Sequence, residues 1–213
     1  MRELSAEQFQ KMLLAAARAV IDGEPRLTEI DTVIGDGDHG VGMKRGFTAV
    51  ERLLTARRYD SFQELARAVS LELIRTMGGA SGVIFGTMFF GGIAALPDGP
   101  AAGTEQLAAY FLQGEAAVEK RGRSHPGQKT MLDALYPACA AFQKAAEEGE
   151  DVSACFRRGW QGAEDGMERS KALRARVGRS KNFREETIGL PDPGAVSVSL
   201  IWRAFRDTLE NQE

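Results

Sequence analysis

Only two cysteines occur in the 213 residues, Cys139 and Cys155, in helical patterns with no CxxC spacing and no histidine close by. That excludes a disulfide framework or a zinc site and leaves two buried, reduced thiols as the expectation. Long apolar runs are missing too: none reaches 18 residues, and residues 1–7 lack a basic start followed by an apolar stretch. A membrane span and a secretory leader are therefore not expected, and the chain reads as cytoplasmic. Positive charge is not in excess, with 27 Lys and Arg against 30 Asp and Glu, a net charge of -3 and a pI near 5.6. Such a balance argues against a nucleic-acid partner and a membrane partner alike. Alternating β-branched runs are scarce, so the fold class expected is all-α.

What is present supports that class. Phe9, Met12, Leu13, Ala16 and Val20 form a 3.6-residue stripe, with Ser5 and Gln8 as a capping box at its start, and Ser61 with Glu64 repeats the signature before Leu65, Val69, Leu73 and Met77. Further helical patterns cover about 43–57, 83–95, 104–121, 129–147, 153–171 and 195–211, giving about eight helices. The stretch 83–93 is apolar on every side, the pattern of a helix buried mid-fold, with Gly86, Gly91 and Gly92 allowing close neighbours. Pro137 falls inside a helical pattern and predicts a kink. With no repeat, linker or low-complexity tract, residues 1–213 read as one domain.

The chemistry concentrates in the run Asp31-Thr32-Val33-Ile34-Gly35-Asp36-Gly37-Asp38-His39-Gly40, three carboxylates within eight residues and no base among them. Two carboxylates about 4 Å apart repel by about 4 kcal/mol at an effective dielectric near 20, and a third raises the cost. A divalent cation converts that repulsion into binding, and hard carboxylate oxygens suit magnesium, which commonly shares its coordination with substrate phosphates. An EF-hand is excluded, because counting from Asp36 puts Gly40 at a ligand position and Val41 at the obligatory glycine. The Gly35-Asp36-Gly37-Asp38-His39-Gly40 match to the dinucleotide pattern is a decoy: two bare aspartates in the turn would repel a pyrophosphate. A solvated acidic turn is the plain alternative.

Three more loops fit a phosphate ligand. Gly78-Gly79-Ala80-Ser81-Gly82 precedes a helix, where backbone N–H groups and a hydroxyl can cradle an anion; a simple tight turn is the competing reading. Asp192-Pro193-Gly194 opens the last helix in the same way, behind a long loop, 172–194, that contains Gly178-Arg179. Arg179 is the expected phosphate cation, whereas Arg174, Arg176, Lys181 and Arg184 read as a solvated basic face. The loop 121–130 leads into Met131, which could lie against an adenine. His125 reads as a surface residue, and His39 as either a phosphate contact or part of a helix start.

Taken in order, Ile34-Gly35-Asp36-Gly37-Asp38-His39-Gly40, Gly78-Gly79-Ala80-Ser81-Gly82, Lys129-Thr130-Met131-Leu132-Asp133, Gly178-Arg179 and Asp192-Pro193-Gly194-Ala195 resemble the nucleotide-binding L subunit of dihydroxyacetone kinases over nearly the whole chain. The resemblance implies a barrel of eight antiparallel helices with the nucleotide, ADP or ATP, at one end and two Mg2+ ions on its phosphates. It assigns Asp31, Asp36 and Asp38 to metal, and His39, Gly40, Val41, Gly42, Ala80, Ser81, Gly122, Met131, Arg179, Asp192, Pro193 and Gly194 to nucleotide. No protein nucleophile is implied, since phosphoryl transfer rests on positioning and charge neutralisation.

The same resemblance implies a separate K subunit carrying a short hydroxyketone. Further partners are a phosphotransferase-system M subunit that rephosphorylates a fixed ADP, or a transcription regulator that binds the nucleotide-loaded chain. Gln128 stands where the family commonly has Asp, and residues 181–186 depart from its usual Ser-Tyr-and-Gly-containing run. These departures leave open an ATP-dependent kinase acting on a related ketose such as a tetrulose. A fatty-acid kinase nucleotide domain is disfavoured by Ile34 and His39, where that relative resembles Pro-Asp-Gly-Asp-Thr.

Overall fold

The computed structural model describes residues 1–211, apart from the Arg184 side chain. Nine α-helices occur among them: α1 (Ala6–Asp22), α2 (Glu24–Ile34), α3 (His39–Ala56), α4 (Phe62–Thr76), α5 (Gly79–Phe90), α6 (Thr104–Gly122), α7 (Leu132–Glu147), α8 (Val152–Ser170) and α9 (Pro193–Glu210). The predicted capping box closes on α1, where Ser5 Oγ accepts from Gln8 N and Gln8 Oε1 accepts from Ser5 N. Ser61 caps α4 in the expected place. A short antiparallel pair, β1 (Glu3–Ser5) with β2 (Ala101–Gly103), is the described sheet.

Eight of the helices close into a ring. α1 packs on α3, α3 on α4, α4 on α5, and so on through α9, which returns to α1. Each helix turns its apolar stripe inward, and the interior is filled by Phe111, Phe142, Phe156, Trp202 and Phe205, with neighbouring centroids 4.8–6.2 Å apart. Burying one such ring is worth roughly 1.5–3 kcal/mol, so the five together contribute on the order of 10 kcal/mol to the ring.

α2 is the helix that the periodicity missed. It is 11 residues long, buries only Leu27, Ile30, Asp31 and Ile34, and packs mainly on α3 with a smaller contact to α9. Its apolar stripe is too narrow to stand out from the polar residues around it.

The expectation that 83–93 forms a central buried helix is corrected. The helix is α5, it ends at Phe90, and it is a stave of the ring whose last residue is 44% exposed. A closed ring has no central helix. The all-round apolarity of this segment reflects two close neighbours, since a Cβ on Gly86 would meet Ile74 of α4 at 2.4 Å and one on Gly92 would meet the Tyr110 carbonyl of α6 at 2.0 Å. α7 runs through Pro137 without a break. The expected loop 172–194 contains a 3-10 segment, Ser180–Thr187. Both cysteines are buried and unpaired, as expected.

Candidate functional site

Alternation around the ring has a consequence at one end. α3, α5, α7 and α9 all begin there, and residues from their first turns or caps line one cavity of about 450 Å³: His39 and Val41 of α3, Ala80 and Ser81 of α5, Met131 before α7, and Asp192 to Gly194 at α9. Each helix N-terminus leaves backbone N–H groups without helical partners and carries roughly half a positive charge. Four of them converging on one cavity make a site for an anion of several charges.

The acidic run supplies the opposite sign at the rim. Asp31, on the last turn of α2, is brought beside Asp36 and Asp38 by the short turn that enters α3. One carboxylate oxygen from each lies within 4.8 Å of the others. Asp31 is buried and accepts from the His39 backbone N–H at 3.0 Å, which fixes its orientation. Partial burial and the neighbouring Asp36 push the Asp38 carboxyl above its ordinary range. The donor set is all carboxylate oxygen, so these residues fit a hard divalent cation. One neutralising group lies closer than the sequence suggested: the Arg179 guanidinium reaches across from the long loop to Asp36, 2.5 Å away.

Gly40 holds the two parts of this corner together. A Cβ there would meet the Thr28 backbone N at 2.6 Å and the Glu24 carbonyl at 2.7 Å, so its absence lets α3 lie against α2 and sets Asp31 opposite Asp38. Gly40 is buried in that contact and does not line the cavity.

His39 is buried in the cavity wall with its ring engaged on both sides, Nε2 2.9 Å from Ser197 Oγ and Nδ1 3.4 Å from Ser81 Oγ. Ser197 Oγ donates to the Pro193 carbonyl, so it accepts from an Nε2–H and leaves Nδ1 as the acceptor for Ser81. Burial lowers the pKa of the ring, which keeps it neutral and able to hold that tautomer. Asp192 caps α9 by accepting from Ala195 N at 2.8 Å, and full burial raises its pKa to about 7.

Of the fifteen residues singled out from sequence, all but Gly40 and Gly122 line the cavity. Gly122 is exposed at the end of α6. His125 is exposed and paired with Glu119, as expected of a surface residue. Lysine and arginine residues beyond Arg179 divide: Arg174 pairs with Glu185, Arg176 and Lys181 are exposed outside the cavity, and the Arg184 side chain lies outside the described residues. Sequence reasoning missed Arg45, whose guanidinium donates to the Thr76 and Met77 carbonyls beside the cavity and ties α3 to the end of α4. Nothing in its helical position marks it. It also left Lys129 without a role, although the quoted Lys-Thr motif contains it; Lys129 is 2% exposed and lines the cavity.

Comparison with known proteins identifies the family. Residues 33–207 match the model of the DAK2 domain. The chain is 34% identical over 172 residues to the "PEP-dependent dihydroxyacetone kinase, ADP-binding subunit DhaL" of Escherichia coli, covering 81% of this chain and 82% of that one. It is 31% identical over 189 residues to the corresponding subunit of kinase 1 of Listeria innocua, covering 89% of each. A D-erythrulose kinase of Mycolicibacterium smegmatis is 31% identical over 202 residues, where the chain spans 93% of its own length and about a third, 35%, of the relative. Among solved structures, the dihydroxyacetone kinase of C. freundii in complex with AMP-PNP and Mg2+ superposes with a TM-score of 0.71 at 24% identity, over 93% of this chain and 33% of that one, a likeness of fold.

The ring of helices with its cleft of helix starts is thus a fold of the DAK2 type. The chain belongs to the DAK2-domain family, and within it to the DhaL type.

Proposed function

We propose that this chain is the nucleotide-carrying L subunit of a dihydroxyacetone-type kinase, holding ADP or ATP with magnesium in the cavity and serving phosphoryl transfer to a short hydroxyketone on a separate K subunit. The observation that carries the reading is the pairing of four converging helix N-termini with a three-carboxylate cluster in one cavity. Only a ligand that is itself anionic and metal-bound satisfies both. The relatives named as ADP-binding subunits support adenine as the base.

Asp31, Asp36 and Asp38 would hold magnesium, two ions in this reading, and the metal would supply charge neutralisation on the phosphates. Ser81 and the N–H groups at Ala80 and Val41 would bind phosphate oxygens, with Gly42, whose own N–H is held by the Asp38 carbonyl, packed beside them, while Gly194 and Met131 would face the adenosine. Arg179 would exchange Asp36 for a phosphate oxygen when the nucleotide enters. Neutral His39 accepts the hydrogen bond of the Ser81 hydroxyl, which would turn to a phosphate oxygen when the nucleotide enters, as the Arg179 guanidinium would. No side chain forms a bond to phosphorus: the acceptor hydroxyl oxygen forms the new P–O bond as the bond to the donor breaks, and its proton leaves with solvent or with a base on the K subunit.

We place this chain in the cytoplasm, as one unit over residues 1–213, with a phosphotransferase-system M subunit as the source of phosphate. Acid extraction of natively purified protein tests the fixed-cofactor form. Near-equimolar ADP is expected, whereas empty protein that binds MgATP reversibly and supports turnover with it would replace the M-subunit route by an ATP-dependent one. A tetrulose acceptor is the second reading, favoured by the 31% identity to a D-erythrulose kinase over nearly the whole chain. Comparing dihydroxyacetone with erythrulose in the same assay separates the two.

A further inference from the structure

A buried lysine lining a cavity of about 450 Å³ that is proposed to hold phosphates invites the reading of a phosphate ligand, but the geometry of Lys129 points elsewhere. Its ammonium donates to three backbone carbonyls: Ser170 at 2.7 Å, Leu173 at 3.1 Å and Leu190 at 2.6 Å. An ammonium has three N–H donors, so none is left for a ligand. The three acceptors lie at the two roots of one loop. Ser170 ends α8 and Leu173 starts the loop, while Leu190 closes it just before α9.

The rest of the loop is fastened around the same neck. Gly189 N donates to the Lys171 carbonyl at 2.7 Å, Ala175 N to Thr187 Oγ1 at 3.1 Å, and Arg176 N to the Gln128 carbonyl at 3.2 Å. The lysine backbone is held in the left-handed region, φ 59°, a conformation costly for a side-chain-bearing residue and kept only where the surroundings impose it. Asp133 imposes it from the next helix by accepting from the N–H groups of Gly127 and Thr130 on either side of Lys129. Beyond the neck stands Arg179, 72% exposed by its side chain, its guanidinium resting on Asp36 with no second ion pair among the described residues.

We propose that Lys129 is a positioning residue for Arg179: its ammonium staples the two roots of the 171–190 loop so that the guanidinium is presented over the metal and phosphate end of the cavity. The inference deepens the nucleotide reading and rests on it for the role of Arg179. Arg179 then depends on Lys129 for its effect, and the two act as one unit.

The test is a double-mutant cycle on MgADP affinity by calorimetry, with Lys129→Met, Arg179→Ala and both, together with tryptic cleavage after Arg174, Arg176 and Lys181 followed by mass spectrometry. Each single variant should weaken MgADP at least tenfold, and the double should fall within threefold of the weaker single variant. Cleavage in the loop should rise at least tenfold in Lys129→Met while far-UV dichroism stays unchanged. Losses that multiply, or a loop as protected as in the parent, would overturn the proposal. Should Lys129→Met fail to fold, Lys129→Gln, which retains two donors, should give a smaller loss with the same non-additivity. A parent chain that binds no adenine nucleotide would sink the proposed function instead, and the cleavage result alone would then decide whether Lys129 holds the loop.

Discussion

Along α9 the two ends of a single helix do opposite work. Trp202 and Phe205 lie in the aromatic interior of the ring, while Asp192, Pro193 and Gly194 open onto the cavity. α7 repeats the division, with Phe142 in the interior and Met131 at the cavity. The interior is apolar and close-packed; the mouth gathers like charges, unpaired backbone donors and a long loop. Stability therefore resides in one region and the proposed ligand binding in the other, and the shared helices make the first a rigid mount for the second.

The largest effect should come from the interior. Phe142→Ala removes a fully buried ring that touches Phe111, Phe156 and Trp202, and should cost about 3–5 kcal/mol of stability in urea denaturation. MgADP affinity of the folded fraction should stay within threefold. A matching loss of affinity would show that the two regions are not separable.

The mouth should make itself felt in the pH dependence of stability. Asp192 has its pKa raised to about 7 by burial, so the folded ligand-free chain holds a proton that the unfolded chain releases near pH 4. Stability is then full below about pH 4 and falls as the pH rises through about 7, by about 4 kcal/mol in all at roughly 1.4 kcal/mol per unit, of which roughly 3 kcal/mol is lost between pH 5 and pH 8. Denaturation at pH 5 and pH 8 measures it, and Asp192→Asn, which keeps an oxygen to cap α9, should flatten the difference.

Gly40→Ala addresses the seam between the regions. The added carbon would collide with the α2 backbone, so stability should fall by about 1–3 kcal/mol and magnesium-dependent binding should weaken at least tenfold, because Asp31 moves away from Asp38. The smallest change in stability should come from Arg179→Ala. An exposed ion pair is worth less than about 1 kcal/mol, so melting should hardly shift while MgADP weakens at least tenfold.

How much of this was legible in the sequence follows from the same division. Helices with a wide apolar stripe, α1 and α4 among them, announced themselves by periodicity and caps, and the ring closes from such stripes. α2 hid because its three apolar anchors are set among polar residues, yet it carries Asp31. The acidic cluster was visible because its members are neighbours in the chain. Arg45 was not, since its partners are backbone carbonyls 31 and 32 residues away. The Arg179–Asp36 pair likewise joins residues far apart, so the acidic run looked less neutralised than it is. Gly40 was expected near the nucleotide and belongs to a helix contact, because a glycine in a motif does not say whether its bare Cα faces ligand or protein.

Calorimetric titration of ADP into nucleotide-stripped chain, with and without Mg2+ and repeated on Asp36→Asn, tests the central claim most directly. The account predicts one ADP per chain, affinity that falls at least a hundredfold without Mg2+, and the same loss in Asp36→Asn with the helical spectrum intact. Binding that ignores both the metal and the substitution would contradict it.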